Sequence, residues 1–446
     1  MTTILKQRSY NKMPLAQNLE PQINSAATYF PISARSDKSN EFDWEIVNRF
    51  FVSELFSISA NDKKLAQFQL RCKEHFINKL SDPAMWDVVE KIYFSKHSIK
   101  NIVPEMQIFS GSWSEDANPA PANRIVNVLM TLLDTLHLKP PADAKLNFIE
   151  KEIRTAFQAE FKPEKSAIKG QALLPYLPPL AEVFRADLHY LLSKQHYFLA
   201  HLSHLLRFYV FIYTCQIALS INSWKDGEPQ KLKDCYFILD NEKASKERSM
   251  LRERGCKQVE KGIESLFPVL AMNESLQENE SGILPLWALY PELTDDVLSR
   301  LVKYAVAFAA DRDLNFDPAN IKTVDEAILA LLDLSKRQFN KGETRSAAGN
   351  KFINFTKSAL CSNFTRTRGS AGKVFVIDQE YLLLLTNLAI GEQGKLRLHE
   401  LIIEFQMRGV FFDRESQTAL VEFYERLGNV ERLSDSGDAV YVKATI

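Results

Sequence analysis

Glycine is scarce in this chain: 15 of 446 residues, about half the usual share of roughly 7%. Few glycines mean few tight turns, which favours helices over a many-stranded β protein. The five cysteines (Cys72, Cys215, Cys235, Cys256 and Cys361) are far apart and none forms a C-x-x-C pair. That excludes a zinc site of paired cysteines. An odd, scattered set suits a reducing compartment and free, buried thiols. The first residues, MTTILKQRSYNKMPLAQ, lack the apolar core of a secretory signal, so a cytoplasmic location is expected. An excess of charge is missing too. Lys+Arg is 55 and Asp+Glu is 56, a net charge of −1. This balance excludes a histone-like nucleic-acid coat and an acidic disordered solvator.

Catalytic signatures are absent as well. Gly369-Ser-Ala-Gly372-Lys373-Val374 ends in GK but has neither the spacing of a P-loop nor the Ser/Thr that would hold Mg²⁺. Asp143-Ala-Lys145 and Asp240-Asn-Glu242-Lys243 place carboxylates near a lysine, as chance does in a chain with 25% charged residues. No nucleophile elbow for Ser or Cys is present. The sequence therefore assigns no catalytic residue, no metal ligand and no cofactor, and the chain is not expected to be an enzyme.

What is present is an ordinary folded composition, 46% apolar, long enough for two to four domains at roughly 100–200 residues each. The reading is a mainly α-helical, multidomain protein. Residues 1–40, with Lys6, Arg8, Lys12, Arg35 and Lys38 and no hydrophobic period, are expected to be a flexible basic arm. A helical domain is expected over 41–225, beginning where Trp44, Val47, Phe51 and Leu55 recur at helical spacing. The prolines of LLPYLPP at 173–179 exclude a helix interior there. A long helix, broken once, follows over 180–221. Its stretch YFLAHLSHLLRFYVFIYTCQIALSI (197–221) would span a bilayer by length. His201, His204, Arg207 and Gln216 inside it favour a helix buried in a soluble helical domain, with no membrane contact.

A second helical region is expected over 226–335. In it KDCYFILD (233–240) is either an isolated strand or the start of a helix, and Glu242–Glu264 reads as a charged helix. Four histidines, His189, His196, His201 and His204, fall on one predicted helix. Only His201 and His204 have ligand spacing, and no acid lies near them in sequence, so packed or hydrogen-bonded core histidines are the expectation.

Charge is unevenly distributed despite its overall balance. Lys336, Arg337, Lys341, Arg345, Lys351, Lys357, Arg366, Arg368 and Lys373 are opposed only by Glu343, a local charge of +8. Phe339, Phe352, Phe355 and Phe364 are interleaved. This segment, 336–378, reads as a basic linker that grips DNA phosphates.

Residues 379–446 are the most legible. A Leu-rich helix to Ile390, a short strand at 395–397, a helix over 398–408, an Asp413-capped helix over 414–427 with core stripe Leu420, Phe423, Tyr424 and Leu427, and two alternating runs around Ser434–Asp438 have the order of a winged helix-turn-helix. The opposite face of the last helix carries Arg414, Glu415, Thr418, Glu422 and Glu425. The segment holds seven basic and eleven acidic residues, a net of −4. A helix leading with glutamates suits a protein partner better than a major groove.

The wording itself is familiar. FTRTRGSAGKVFVIDQEYLLLLTNLAI, RLHELIIEFQMRGVFFDRES and LSDSGDAVYVK near the C-terminus, with CYFILDNEKASKERSMLRERGCKQVEKG at 235–262, resemble the DptG (DndG) family. These are subunits of bacterial restriction systems that depend on DNA phosphorothioation. The resemblance implies a subunit without a catalytic motif. It would work in anti-phage defence with ATPase-like and DNA-processing partners against DNA lacking the phosphorothioate mark. A divergent nuclease subunit and a winged-helix transcription regulator are the alternative readings.

Overall fold

The computed structural model describes residues 19, 26–34, 37–58, 62–77, 79, 82, 84–94, 98–111, 118–133, 145–162, 173–245, 247–277, 282–432 and 440–446. The protein is mainly helical, as the glycine count implies. Its longer helices are α1 (Trp44–Phe56), α2 (Asp62–Ile77), α3 (Ala120–Leu133), α4 (Phe148–Glu160), α5 (Pro178–Ser193), α6 (Gln195–Ser220), α7 (Cys256–Ser275), α8 (Leu298–Asp311), α9 (Val324–Arg337), α10 (Ser346–Thr356), α11 (Gln379–Ile390), α12 (Leu398–Met407) and α13 (Arg414–Leu427). The strands are β1 (Tyr236–Leu239), β2 (Thr365–Arg368), β3 (Gly372–Ile377), β4 (Lys395–Arg397), β5 (Phe411–Phe412), β6 (Val430–Arg432) and β7 (Val440–Lys443). They form two sheets, ordered β2-β3-β1-β5 and β4-β7-β6.

Helix α6 is the axis of the core. By length and composition it is apolar enough to cross a membrane, but 78% of its most apolar stretch is buried inside the protein. Every residue from Phe208 to Ala218 is buried. A helix that is apolar on all sides needs neighbours on all sides. Here α5 and α1, α7 and the larger sheet supply them. Phe211 stacks on Phe364 at 4.1 Å and meets Phe375 edge-on at 5.2 Å. On the α7 side contact is made by backbone. A Cβ added at Gly262 would lie 2.3 Å from the Ala218 carbonyl oxygen. Gly262→Ala should therefore lower stability by about 1–3 kcal/mol, the usual cost of overpacking. Adding Ala218→Gly should not restore it, because the clash is with main chain. Denaturant midpoints of the single and double variants would check both statements.

The larger sheet has two covered faces. Phe237, Leu239, Phe375 and Ile377 join the main core, while Ile238, Val374 and Val376 join a smaller cluster with Leu251 and Ala371. This is the two-residue alternation of a strand. It explains why FILD and VFVI are near-continuous apolar runs, as expected of strands buried on both faces. β1 pairs in parallel with β3 and β5, so residues 236–239 form an inner strand and not an isolated one.

Three further expectations need correction. Residues 242–245, 247 and 248 are not helical, and the helix begins at Cys256 after a short turn of helix at 249–253. Arg248 is the cause, since its buried side chain is drawn to Glu242, Asp413 and Ser416. Within the expected mobile arm, residues 26–34 are packed into the core: Tyr29, Phe30 and Ile32 are buried. The Tyr29 hydroxyl donates to the Ile283 carbonyl at 2.6 Å and its own carbonyl accepts from Tyr213 at 2.8 Å. Lys6, Arg8, Lys12 and Arg35 lie outside the described residues. Finally, the 336–378 segment is no linker. It comprises the end of α9, then α10, β2 and β3, with Phe352 and Phe364 in the core and Phe339 and Phe355 packed against it. Those rings fill space and are not laid out for base stacking.

A single contiguous cluster of buried apolar side chains includes residues from Ala26 to Val442. The five cysteines are all buried and unbridged. Burial pushes the thiols of Cys72 and Cys256 up to about 12, so they are poor nucleophiles.

Candidate functional site

Three places bear on function: the basic segment, the exposed side of α13, and the histidines of α6.

The fold divides the nine cations. Lys357 and Lys373 both reach Glu260, at 3.6 and 3.5 Å. Arg368 holds Asp240 at 2.9 Å, Arg337 faces Asp333 at 3.6 Å, and Lys336 donates to the Asn222 side chain at 2.9 Å. Arg366 donates to the carbonyls of Ser362 and Thr365 and is exposed. It sits on β2, the edge of the larger sheet, where an exposed charge also discourages pairing with another chain. Lys341, Arg345 and Lys351, in and around the turn from α9 into α10, have no carboxylate partner among the described residues. Half-exposed Arg345 lies close enough to Arg312 to lower that guanidinium's pKa, which burial lowers more.

On α13, Arg414, Glu415, Thr418, Glu422 and Glu425 are all exposed, while Leu420, Phe423 and Tyr424 are buried. Leu427, expected in the core stripe, is 38% exposed. Glu425 pairs with Arg432 on β6, and the Thr418 hydroxyl donates back to the Arg414 carbonyl at 3.1 Å. At the N-terminal end of the helix Arg414 and Glu415 face outward, but the cap is engaged. Its cap, Asp413, accepts from the Ser416 amide at 3.0 Å and from Arg248 Nε at 2.9 Å. Just before it, β5 joins the larger sheet beside β1. The Ser434–Asp438 turn lies outside the described residues.

The histidines do not share one helix. The chain breaks at Lys194, leaving His189 on α5 and the other three on α6. Nor are His201 and His204 remote from acid, as the sequence led us to expect. The first turn of α11 brings Glu380 alongside. One nitrogen of each imidazole and one oxygen of Glu380 all lie within 4.8 Å of one another. His204 Nε2 is 3.3 Å from Glu380 Oε1. Tyr197 packs on His201 at 4.2 Å and Tyr381 on His204 at 5.4 Å. Burial lowers the His201 pKa and His204 lowers it further, with Glu380 opposing. Glu380 is 176 positions from His204, and no spacing pattern could have connected them.

A cleft of about 710 Å³ opens beside Trp224 and Trp287, with Lys231, Lys233 and Arg254 but also Asp226, Glu228 and Asp234 on its walls. Arg254 and Asp234 neutralise each other at 2.9 Å. Compared with known proteins, the chain matches no family model and no curated sequence.

Proposed function

We propose that this chain is a non-catalytic, DNA-contacting scaffold subunit of a phosphorothioation-dependent restriction complex. In this reading it works beside ATPase-like subunits against DNA that lacks the mark. Its C-terminal unit, 379–446, is a winged helix that docks a partner protein. The wording of residues 235–262 and 364–443 supports the system. The cations at Lys341, Arg345 and Lys351, left without carboxylate partners among the described residues by a fold that pairs most of their neighbours, carry the DNA contact. They suit a sequence-independent grip on phosphates, in which each neutralised phosphate releases counterions.

The winged-helix reading rests on topology. Helix α11, strand β4, helix α12, the two-residue β5, helix α13 and the pair β6–β7 follow in order, with β4 paired to β7. A helix that reads bases presents its N-terminal residues to the groove. In α13 the cap Asp413 and Ser416 are tied to Arg248, the exposed residues at that end are Arg414 and Glu415, and the exposed side carries three glutamates. Both features favour a protein partner.

The test is a salt titration of duplex affinity with the full chain. Reversing charge at Lys341, Arg345 and Lys351 should weaken binding equally for all sequences. It should also reduce the slope of log K against log salt by about 2.7, or about 0.9 per lost contact. Arg414→Ala with Thr418→Ala should leave DNA affinity unchanged and weaken assembly with the ATPase-like subunits. Sequence-specific binding lost in the 414/418 pair, with a wild-type slope in the charge-reversed variant, would make α13 the DNA reader and overturn the assignment.

A further inference from the structure

We propose that His201, His204 and Glu380 form a transition-metal site of the zinc type, which clasps α6 to the first turn of α11. The site stands independently of the DNA-binding reading.

The donor set is the first argument. Residues at i and i+3 share a helix face, and a carboxylate from a second helix completes a set of two imidazoles and one oxygen. Zinc binds nitrogen and carboxylate oxygen at roughly 2.0–2.2 Å, so two donors of one tetrahedron lie about 3.4 Å apart. The His204 Nε2 to Glu380 Oε1 separation is 3.3 Å. The third donor is already within 4.8 Å of both. Glu380 is the least constrained member, with its side chain 56% exposed, and can close the remaining distance by a rotamer change.

The second argument is what the imidazoles lack. Core histidines are normally hydrogen-bonded. Here Nδ1 of His201 is buried without a partner among the described residues and is open to a ligand; Nδ1 of His204 is unpartnered too, but the nitrogen that faces Glu380 there is Nε2. Tilted and edge-on packing against Tyr197 and Tyr381 holds the rings in place but satisfies no ring nitrogen. The neighbouring cation does not occupy the space: Arg207 is held over the Trp44 ring at 5.0 Å and donates to Ser203 at 3.3 Å. Three protein donors leave one tetrahedral position for water or for a group from a partner.

The site fits zinc first, and cobalt as a spectroscopic substitute. The experiment uses the full chain stripped with a chelator, titrated with Zn²⁺ by calorimetry and with Co²⁺ by visible absorption. One ion per chain is expected, with cobalt bands of a nitrogen- and oxygen-ligated tetrahedral site. Zinc should raise the thermal midpoint. His201→Ala, His204→Ala and Glu380→Gln should each weaken binding on the order of 10–100-fold or more and abolish the thermal shift. His189→Ala and His196→Ala should change neither. Glu380→Gln alters an exposed side chain, so the test survives if a histidine variant fails to fold. Wild-type zinc affinity in Glu380→Gln and in the His201→Ala/His204→Ala pair would overturn the proposal, as would the absence of Zn²⁺ binding to the wild type.

Discussion

Replacing Arg408 with alanine should cost about 3–5 kcal/mol of folding stability, the usual effect of removing one member of a buried ion pair. Arg408 closes α12, and its side chain is 4% exposed, while that of its partner Asp187 on α5 is 1% exposed. The contact is a two-point fork, with Nη2 to Oδ1 at 2.5 Å and Nε to Oδ2 at 2.9 Å. The other guanidinium nitrogen donates to Glu404 Oε2 at 2.7 Å, and Nη2 also reaches the Leu388 carbonyl on α11 at 3.2 Å. The Tyr209 hydroxyl of α6 donates to the same aspartate. Four helices therefore meet on one charge pair. Burial works against the arginine's charge, but the Asp187 carboxylate and its companions more than offset it and raise the pKa.

Alanine would leave the Asp187 carboxylate buried with a phenol hydrogen bond and no cation. Arg408→Lys should recover little, because an ammonium cannot form the fork. The pair Asp187→Leu and Arg408→Met should recover much of the loss, since apolar groups of similar volume need no desolvated partner. Urea midpoints of the three variants would measure this. A loss below about 1 kcal/mol for Arg408→Ala would show that the pair is not what holds α12 to α5.

The parts of this architecture that sequence makes legible depend on local interactions. The helix over 414–427 is readable because Asp413 is a good N-cap and its apolar residues fall on one stripe; the cap is present, and so is the stripe except for exposed Leu427. Likewise the strand pair 430–432 and 440–443 follows from alternation around a polar turn. The hairpin of β2 and β3 carries a comparable pattern, TRTR-GSA-GKVFVI, but its charge suggests a linker. Pairing with β1, some 130 residues earlier, makes β3 an inner strand.

Residues 26–34 give no period because they are neither helix nor strand. Their order comes from partners at Leu174, Tyr213, Ile283 and Phe352. The histidine site fails for a related reason. His201 and His204 are visible as a pair, but the acid that gives them chemical meaning arrives from another helix. What the sequence withholds is therefore long-range pairing, and the site depends on it.

A second long-range contact has an effect that should change with pH. Arg248→Ala should also destabilise the protein by about 3–5 kcal/mol at neutral pH, and the deficit should shrink as the solution is acidified. The Arg248 side chain is 2% exposed, between Glu242 (8%) and Asp413 (14%). It donates to Glu242 Oε2 at 2.8 Å, to Asp413 Oδ2 at 2.9 Å and to Ser416 Oγ at 2.7 Å. Ser416 in turn donates to Glu242 at 3.0 Å, and Glu242 accepts from the Leu239 amide at 2.7 Å. The arginine thus ties the end of β1 to the start of α13.

Burial alone would raise the Asp413 carboxyl, but hydrogen bonds from Arg248 and the Ser416 amide outweigh it and hold the pKa below the ordinary value. A depressed folded pKa contributes stability that is present above the unfolded value, about 3.9, and is lost as pH falls through the folded one. In the wild type this contribution is therefore intact at pH 5 and above. In Arg248→Ala the Asp413 carboxylate is buried beside Glu242 without its cation, which raises its folded pKa. Protonation then favours the folded variant, so its stability should rise as pH falls below 7 while the wild type's contribution from Asp413 stays level. Folding free energies of both proteins at pH 7 and pH 5 would decide it. A deficit that does not change between those two values would mean that the arginine acts by packing alone and that its charge is not what the carboxylates require.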